Sequence, residues 1–183
     1  MIIANQEEND REQVLALAED FPVWVSQVID LPTANEMIRV IGELTATNMT
    51  AVAMIDQLEA SFAALTAFPP LRALYLIWRK PYMGSGGGTF IHSMLKASSF
   101  TNVLADQQRY PSLSAEEIQQ LSPQVILLSS EPFPFRERHI KELSALCPNA
   151  EVRLVDGEMF SWYGSRLLRS AAYFRNLRAG LEP

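Results

Sequence analysis

The sequence predicts an α/β fold in which a parallel sheet lies between two layers of helices. Apolar, strand-like runs at 74–78, 125–128 and 152–155 alternate with helical patterns after Thr89 and over 136–146. This alternation favours parallel strands, because two neighbouring parallel strands need a helix-sized connection between them. With 183 residues, of which 48% are hydrophobic, the chain can form one sizeable core or two small lobes.

The opening segment is predicted to fold as strand, helix, strand and helix. Residues 2–4 and 23–25 are rich in β-branched side chains, and the residues at 10–18 have helical spacing of apolar positions. Thr33 precedes a second helical pattern and is predicted to be its N-cap.

A longer helix is predicted to start at Thr47 as its N-cap and to run to Ala67, where the Phe-Pro-Pro segment at 68–70 ends it. A helix of roughly 20 residues is about 30 Å long, which is the width of a small domain. It can therefore connect two lobes. A last helix is predicted over 165–177, with a broad apolar face.

Charge and composition exclude several classes of function. The formal net charge is −6, and the basic residues are scattered rather than gathered into a stripe, so no nucleic-acid partner is expected. Cys147 is the single cysteine, which excludes an internal disulfide and any multi-cysteine metal site. His92 and His139 have no suitably spaced ligand partner, and His139 is expected on a charged surface helix. No metal site is therefore predicted.

Neither catalysis nor export is indicated. No serine lies in a nucleophile elbow, Cys147 has no evident base, and Glu7 with Glu8 forms a solvated turn as readily as an acid/base pair. We therefore expect a binding protein and no enzyme. Residues 1–9 contain no basic segment followed by an apolar one, so the chain as written is expected to be cytoplasmic.

Four runs of the sequence resemble the helical backbone metal receptor family in order and spacing. They are IIANQEEN at 2–9, YLIWRKPYM at 75–83, LLSSEPFPF at 127–135 and DGEMFSWYGSR at 156–166. That family is similar to the cobalamin, haem and ferric-siderophore binding proteins of ABC importers, which are usually periplasmic or membrane-anchored. The resemblance implies a class III periplasmic-binding-protein fold, a metal chelate as ligand and an ABC permease as partner.

In that family two α/β lobes are joined by one long helix, and the ligand lies between the lobes. The resemblance implies four parts, namely a remnant of the N-terminal lobe at 1–46, the connecting helix at 47–67, the C-terminal α/β lobe at 71–163 and a returning helix at 164–183.

Two departures from the family pattern lead to further expectations. Family members carry an additional stretch before the segment that begins at Ile2, and this stretch supplies one face of the cleft. Without it, the strands at 2–4 and 23–25 are expected to have exposed edges and to mediate self-association. The ligand is expected to bind weakly, because half of the cleft wall is absent. Lys96 stands where transporter-coupled relatives tend to have a glutamate that docks on permease arginines. The alternative is therefore a cytoplasmic protein of the same fold that binds or processes a small organic ligand without transport.

The candidate ligand-binding residues follow the strand ends of the predicted sheet, where clefts form in open α/β folds. They are Trp78, Arg79, Tyr82, Glu131, Phe133, Trp162, Tyr163 and Arg166, predicted to line one concave face. The aromatic rings suit stacking on a planar ligand, and the arginines suit its carboxylates.

Some of these residues also have a structural interpretation. Trp78 can belong to the core, Phe133 can pack inward from its proline-braced loop, and Arg166 can pair with a buried carboxylate. The glycine-rich segment 84–88 precedes a helix and can bind phosphate, but it lacks the Walker Lys-Ser/Thr pair. We favour a flexible connection there.

Overall fold

The structure, a computed structural model, describes residues 1–65 and 67–181 and has the predicted three-layer α/β/α architecture. Its elements in chain order are β1 (Ile2–Asn5), α1 (Arg11–Asp20), β2 (Val23–Ser26), α2 (Leu31–Leu44), α3 (Asn48–Ala63), β3 (Leu71–Trp78), β4 (Tyr82–Gly84), α4 (Phe90–Ala97), β5 (Phe100–Asn102), β6 (Ser112–Leu113), α5 (Ala115–Leu121), β7 (Val125–Ser129), α6 (Glu137–Leu146), β8 (Glu151–Val155), α7 (Glu158–Ser161) and α8 (Leu167–Ala179).

The main sheet is mixed rather than purely parallel. Its strand order is β6-β4-β3-β7-β8, with β5 beside the first part of β3. Strands β3, β7 and β8 are parallel, as predicted, and the unpredicted β5 is parallel to β3, but β4 is antiparallel to β3 and β6 is antiparallel to β4. The prediction of a fully parallel sheet is wrong at this edge, because a tight turn at Lys80, whose φ is 71°, returns the chain alongside β3.

Alternation of side chains along the central strands divides the core between the two faces of the sheet. Tyr75 and Leu127 point to the face covered by α4, α7 and α8, and α3 packs on α8 from outside. Leu76 and Leu128 point to the opposite face, which contains Ile118 of α5 and Leu143 of α6. Because β7 is buried along its whole length, its sequence is a continuous apolar run.

One helix start and one helix end differ from the predictions. Asp30, not Thr33, is the N-cap of α2: its carboxylate accepts from the Thr33 backbone N at 2.9 Å, and Thr33 Oγ1 accepts from the Asp30 backbone N at 3.1 Å. Thr47 is the N-cap residue of α3, as predicted, but its side chain makes no cap hydrogen bond. This helix has 16 residues and ends before the predicted Ala67, so it is about 24 Å long.

Some of the predicted helical segments reach residues outside the described ranges. Thr66 belongs to the predicted 47–67 helix, and Glu182 and Pro183 belong to the predicted 164–183 segment. The final helix starts close to its predicted position, with Arg166 as its N-cap. Helix α5 was not predicted, although Ser114 and Glu117 form a capping box that marks its start.

The opening unit, β1-α1-β2, is a two-stranded parallel sheet with one helix. The strands pair in register from Ile2 with Val23 to Asn5 with Ser26. In this unit only Ala4 and Ser26 are buried, and α1 has no buried residue. The following chain enters the main core through Val28.

His139 and the glycine-rich segment 84–88 are more buried than the sequence suggested. His139 is 2% exposed, and its Nδ1 accepts from the Arg136 backbone N at 2.9 Å, so its predicted place on a charged surface is wrong. The glycine-rich segment is also packed: Gly86 N donates to Arg109 O at 2.7 Å, and Arg109 N donates to Gly87 O at 3.0 Å. A Cβ on Gly86 would lie 2.2 Å from Gln107 O, so a flexible connection is the wrong interpretation.

Within the part of the chain that the structure describes, no helix combines the length and the apolar character needed to cross a bilayer.

Candidate functional site

The loops after β7 and β8 lie side by side at the carboxyl edge of the sheet. Buried Tyr75 donates through its hydroxyl to Ser129 Oγ at 3.2 Å, and Gly157 N donates to Ser130 Oγ at 2.9 Å. A Cβ on Gly157 would lie 2.3 Å from Ser129 Oγ and 2.7 Å from Glu131 Cγ. Only glycine therefore allows the two loops to approach this closely.

Glu131 is held in a defined position by the neighbouring loop. Ser161 Oγ donates to its Oε1 at 2.8 Å, and Trp162 Nε1 donates to the same oxygen at 2.7 Å. Both donors come from the end of α7, which follows β8. The carboxylate and the indole therefore form one rigid unit at the strand ends.

The facing wall comes from the turn after β1. Asn5 Oδ1 accepts from the Glu7 backbone N at 2.8 Å, and Asn9 Oδ1 accepts from the Asn5 backbone N at 2.7 Å, which shapes the turn. Arg109 donates to Glu7 Oε2 at 3.0 Å. Burial, with Glu7 beside it, raises the pKa of the Tyr110 phenol above its usual range.

A cleft of about 510 Å³ lies between these two walls. Its lining residues come from the turn after β1, the first turn of α4, the segment before β6 and the strand ends with the loops that follow them. They are Glu7, Glu8, Ile77, Ile91, Arg109, Tyr110, Ser129, Glu131, Pro132, Ser161 and Trp162. The volume is within the range of small-molecule pockets. It also exceeds the depression of about 380 Å³ between α2 and α3.

Of the eight candidate residues, Glu131 and Trp162 line this cleft, and Tyr163 and Arg166 lie beside it. Burial raises the pKa of Tyr163, and the carboxylates of Glu8 and Glu7 raise it further, so this phenol faces the turn after β1. Arg166 forms an ion pair with Glu158 and lies 5.8 Å from the centroid of the Trp162 ring. Its partner is therefore a carboxylate of this chain, although that carboxylate is partly exposed and not buried as the structural interpretation proposed.

The other four candidates, Trp78, Arg79, Tyr82 and Phe133, form a second cluster that packs against α6. Arg79 donates to both carboxylate oxygens of Glu142, at 3.1 and 2.7 Å, and the Tyr82 hydroxyl also bonds Glu142. The pKa of Glu142 is lowered by the Arg79 guanidinium, and burial raises the pKa of Tyr82 to about 12. None of these residues lines the cleft.

Phe133 and Trp78 complete this second cluster. Phe133 packs inward against Phe135, with ring centroids 4.9 Å apart, and against Trp78 at 5.7 Å. The single concave face predicted for all eight residues is therefore divided, because Trp78 and Ile77 point to opposite sides of β3 and only Ile77 enters the cleft.

The sequence did not reveal Arg109 and Tyr110 as site residues. They lie in an irregular segment that meets the glycine-rich loop, and Arg109 has a φ of 54°. Their contact with Glu7 joins positions about 100 residues apart, which no local pattern predicts. The one local signal was the glycine-rich loop itself, because closely spaced glycines indicate close backbone approach.

Among residues 1–65 and 67–181, no three His, Cys, Asp or Glu side chains are placed to hold a metal ion together. The arrangement can offer carboxylates, hydroxyls and an aromatic face to an organic ligand.

The sequence matches no family model and no curated protein. Solved structures do match it. The periplasmic vitamin B12-binding protein of Vibrio cholerae has a TM-score of 0.74 and 18% identity, over 97% of this chain and 73% of that one. The periplasmic haem-binding protein of Roseiflexus sp. RS-1 has a TM-score of 0.77 and 18% identity, again over 97% and 73%.

A third match is an ABC-type Fe3+-hydroxamate transport system of Saccharomonospora viridis, with a TM-score of 0.71 and 17% identity over 95% of this chain and 67% of that one. At such identities the likeness establishes the fold. The chain therefore has the class III periplasmic-binding-protein fold that its sequence resemblance implied.

Proposed function

We propose that this chain is a substrate-binding protein for a metal chelate, such as a ferric siderophore, haem or cobalamin, and that the ligand binds in the cleft between Glu131 and the turn after β1. The observation that carries the proposal is the fixed Glu131–Trp162 pair, which presents a carboxylate and an aromatic ring at the carboxyl ends of parallel strands. The matched structures are described as binding vitamin B12, haem and Fe3+-hydroxamate, which supports this class of ligand.

The proposed role is binding without catalysis. The matched proteins are binding proteins or transport components rather than enzymes, and the cleft joins aromatic and hydrogen-bonding groups of the kind that orient a ligand. We also propose a small-molecule ligand and an ABC permease as partners, which the description of one match as an ABC-type transport system supports.

A titration with matched tryptophan variants tests the site. A ferric trihydroxamate, cyanocobalamin and haemin are added in turn, and binding is followed by the visible absorption of the chelate. Trp162→Phe removes the cleft indole, whereas Trp78→Phe removes a comparably exposed indole from the second cluster. We expect the first variant to weaken binding several-fold and the second to leave it unchanged, because phenylalanine offers a smaller stacking surface and lacks the Nε1–H that holds the Glu131 carboxylate in place.

A larger loss with Trp78→Phe would instead place the ligand at the cluster around Glu142. If none of the three chelates binds the unmodified chain, the proposed function is wrong.

A second candidate function is ligand binding without transport. Lys96 is exposed in the last turn of α4, where the resemblance places a permease-docking glutamate. A positive charge there opposes docking on arginines. In a detergent pull-down with a metal-chelate importer, the Lys96→Glu variant should be retained more strongly than the unmodified chain. Equal retention of both would remove the support for this candidate.

A further inference from the structure

The cleft has an excess of negative charge. Glu7, Glu8 and Glu131 line it, against one cation, Arg109. Arg109 is paired with Glu7 at 3.0 Å, so the carboxylates of Glu8 and Glu131 remain without a cationic partner in the described part of the chain. The nearby Arg166 is neutralised by its own ion pair with Glu158. The net charge that faces a ligand is therefore negative.

The Glu131 carboxylate is also positioned to accept a hydrogen bond from a ligand. Both of its bonds, from Ser161 and Trp162, fall on Oε1, and its other oxygen, Oε2, accepts no hydrogen bond from residues 1–65 or 67–181. The two donors fix the carboxylate, so a ligand N–H group meets an acceptor that needs no reorientation. An anionic ligand group in the same place would meet like charge instead.

Two hydroxyl groups and an aromatic ring surround this acceptor. Ser129 and Ser161 line the same wall, and the Trp162 ring lies half exposed beside Glu131. A ring face beside carboxylates is a common environment for organic ammonium groups, because both attract positive charge. Arg166 occupies one approach to the ring at 5.8 Å, which shows that a cation is tolerated there.

From these observations we infer that the cleft selects a chelate with a positively charged or N–H-rich periphery and discriminates against chelates that carry carboxylates. The inference rests on the proposed function, because it specifies the ligand class of the same cleft.

A charge series built on one chelate tests it. The probes are a linear ferric trihydroxamate with a terminal ammonium group, the same chelate N-acetylated, and the same chelate N-succinylated, which carry charges of +1, 0 and −1. Affinity is measured by quenching of tryptophan fluorescence at low and at high salt. We expect the cationic probe to bind on the order of tenfold more tightly than the anionic probe at low salt, and this ratio to shrink as salt screens the charges.

Three variants test which carboxylates cause the charge preference. Glu131→Gln and Glu8→Gln each remove one carboxylate from the cleft, and both should reduce the cationic preference several-fold. Glu8 lies on an exposed turn, so its variant is informative even where Glu131→Gln disturbs the loop. Glu116→Gln, an exposed change of equal charge on α5, is the control and should leave the ratio unchanged.

The outcomes separate the inference from the proposed function. Equal or tighter binding of the anionic probe overturns the charge preference while chelate binding stands. If Glu116→Gln changes the preference as much as the two cleft variants do, the charge inference is likewise overturned and chelate binding stands. Failure of all three probes to bind overturns the charge inference, and the proposed function is overturned with it only if cyanocobalamin and haemin also fail to bind.

Discussion

The β1-α1-β2 unit and the main α/β/α lobe use the same elements with very different burial. In the main lobe β7 is buried along its whole length, and aromatic side chains pack on both faces of the sheet. In the opening unit α1 buries no residue, and Ile3 and Val25 are 49% and 45% exposed. Parallel strands are normally covered on both faces, so the difference shows that pairing alone forms a small sheet but does not give it a core.

The largest expected difference is in the free energy of unfolding lost when a phenylalanine of the main lobe or of the opening unit is replaced by alanine. Phe174 is fully buried, with its ring centroid 4.7 Å from that of Phe160 and 6.3 Å from that of Phe62. Phe174→Ala should lower the free energy of unfolding by about 3–5 kcal/mol, because it leaves a cavity. Phe21→Ala, at a 52% exposed position after α1, should cost about 0.5 kcal/mol or less. Urea denaturation measures both, and similar losses would contradict the contrast.

Self-association is expected through the opening unit. β1 and β2 each have one paired edge in the described structure, and the side chains of Ile3 and Val25 are exposed. Such edges and patches favour pairing with a second copy. Static light scattering should detect dimers or larger species at micromolar concentration, and Val25→Lys should shift them toward monomer. Val52→Lys, at an exposed position of α3, is the control, and a monomeric unmodified chain would refute the expectation.

The main lobe should also determine the pH dependence of stability near neutrality. Burial lowers the pKa of His139, so the folded state favours the neutral ring, whereas the unfolded ring titrates near 6.5. The unfolded state therefore binds more protons below this pH, and stability should fall as the pH decreases through about 6.5. Burial lowers the pKa of His92 as well, so it contributes in the same window.

Urea denaturation at pH 7.5, 6.5 and 5.5 measures this slope. His139→Asn, which keeps an acceptor for the Arg136 backbone N, should reduce the slope and leave only the His92 contribution. An unchanged slope would show that His139 is not held neutral. Glu142, whose pKa is lowered by Arg79, contributes only at more acidic pH, where its carboxylate becomes protonated.

The smallest effect is expected for the ion pair of the second cluster. Arg79 and Glu142 are partly exposed, and pairs of this kind contribute about 0.2–1 kcal/mol. Glu142→Gln should therefore lower the free energy of unfolding by less than about 1 kcal/mol, with Glu137→Gln as a control on the same helix. A loss near that of Phe174→Ala would mean that this cluster belongs to the core of the main lobe.

The sequence by itself determined the fold class and the order of most elements. Apolar runs such as 125–128 and the helical pattern at 136–146 are local signals, and so is the strand–helix–strand opening. The resemblance of four short runs to a known family added the class III architecture, which the matched structures bear out. Capping and hairpin details were predicted less well, because Asp30 and Thr33 are both good cap residues and the turn at Lys80 has no glycine.

Only the tertiary structure decided which candidate residues meet. Adjacent residues of a strand point to opposite sides, so Ile77 enters the cleft while Trp78 joins the cluster around Glu142. Glu131 and Trp162 were predicted because both follow strand ends. Their hydrogen bond, and the wall that Glu7, Glu8 and Arg109 form opposite them, depend on contacts between distant segments. A sequence contains the strand ends, but the packing of loops around glycines such as Gly86 and Gly157 determines which side chains face one another.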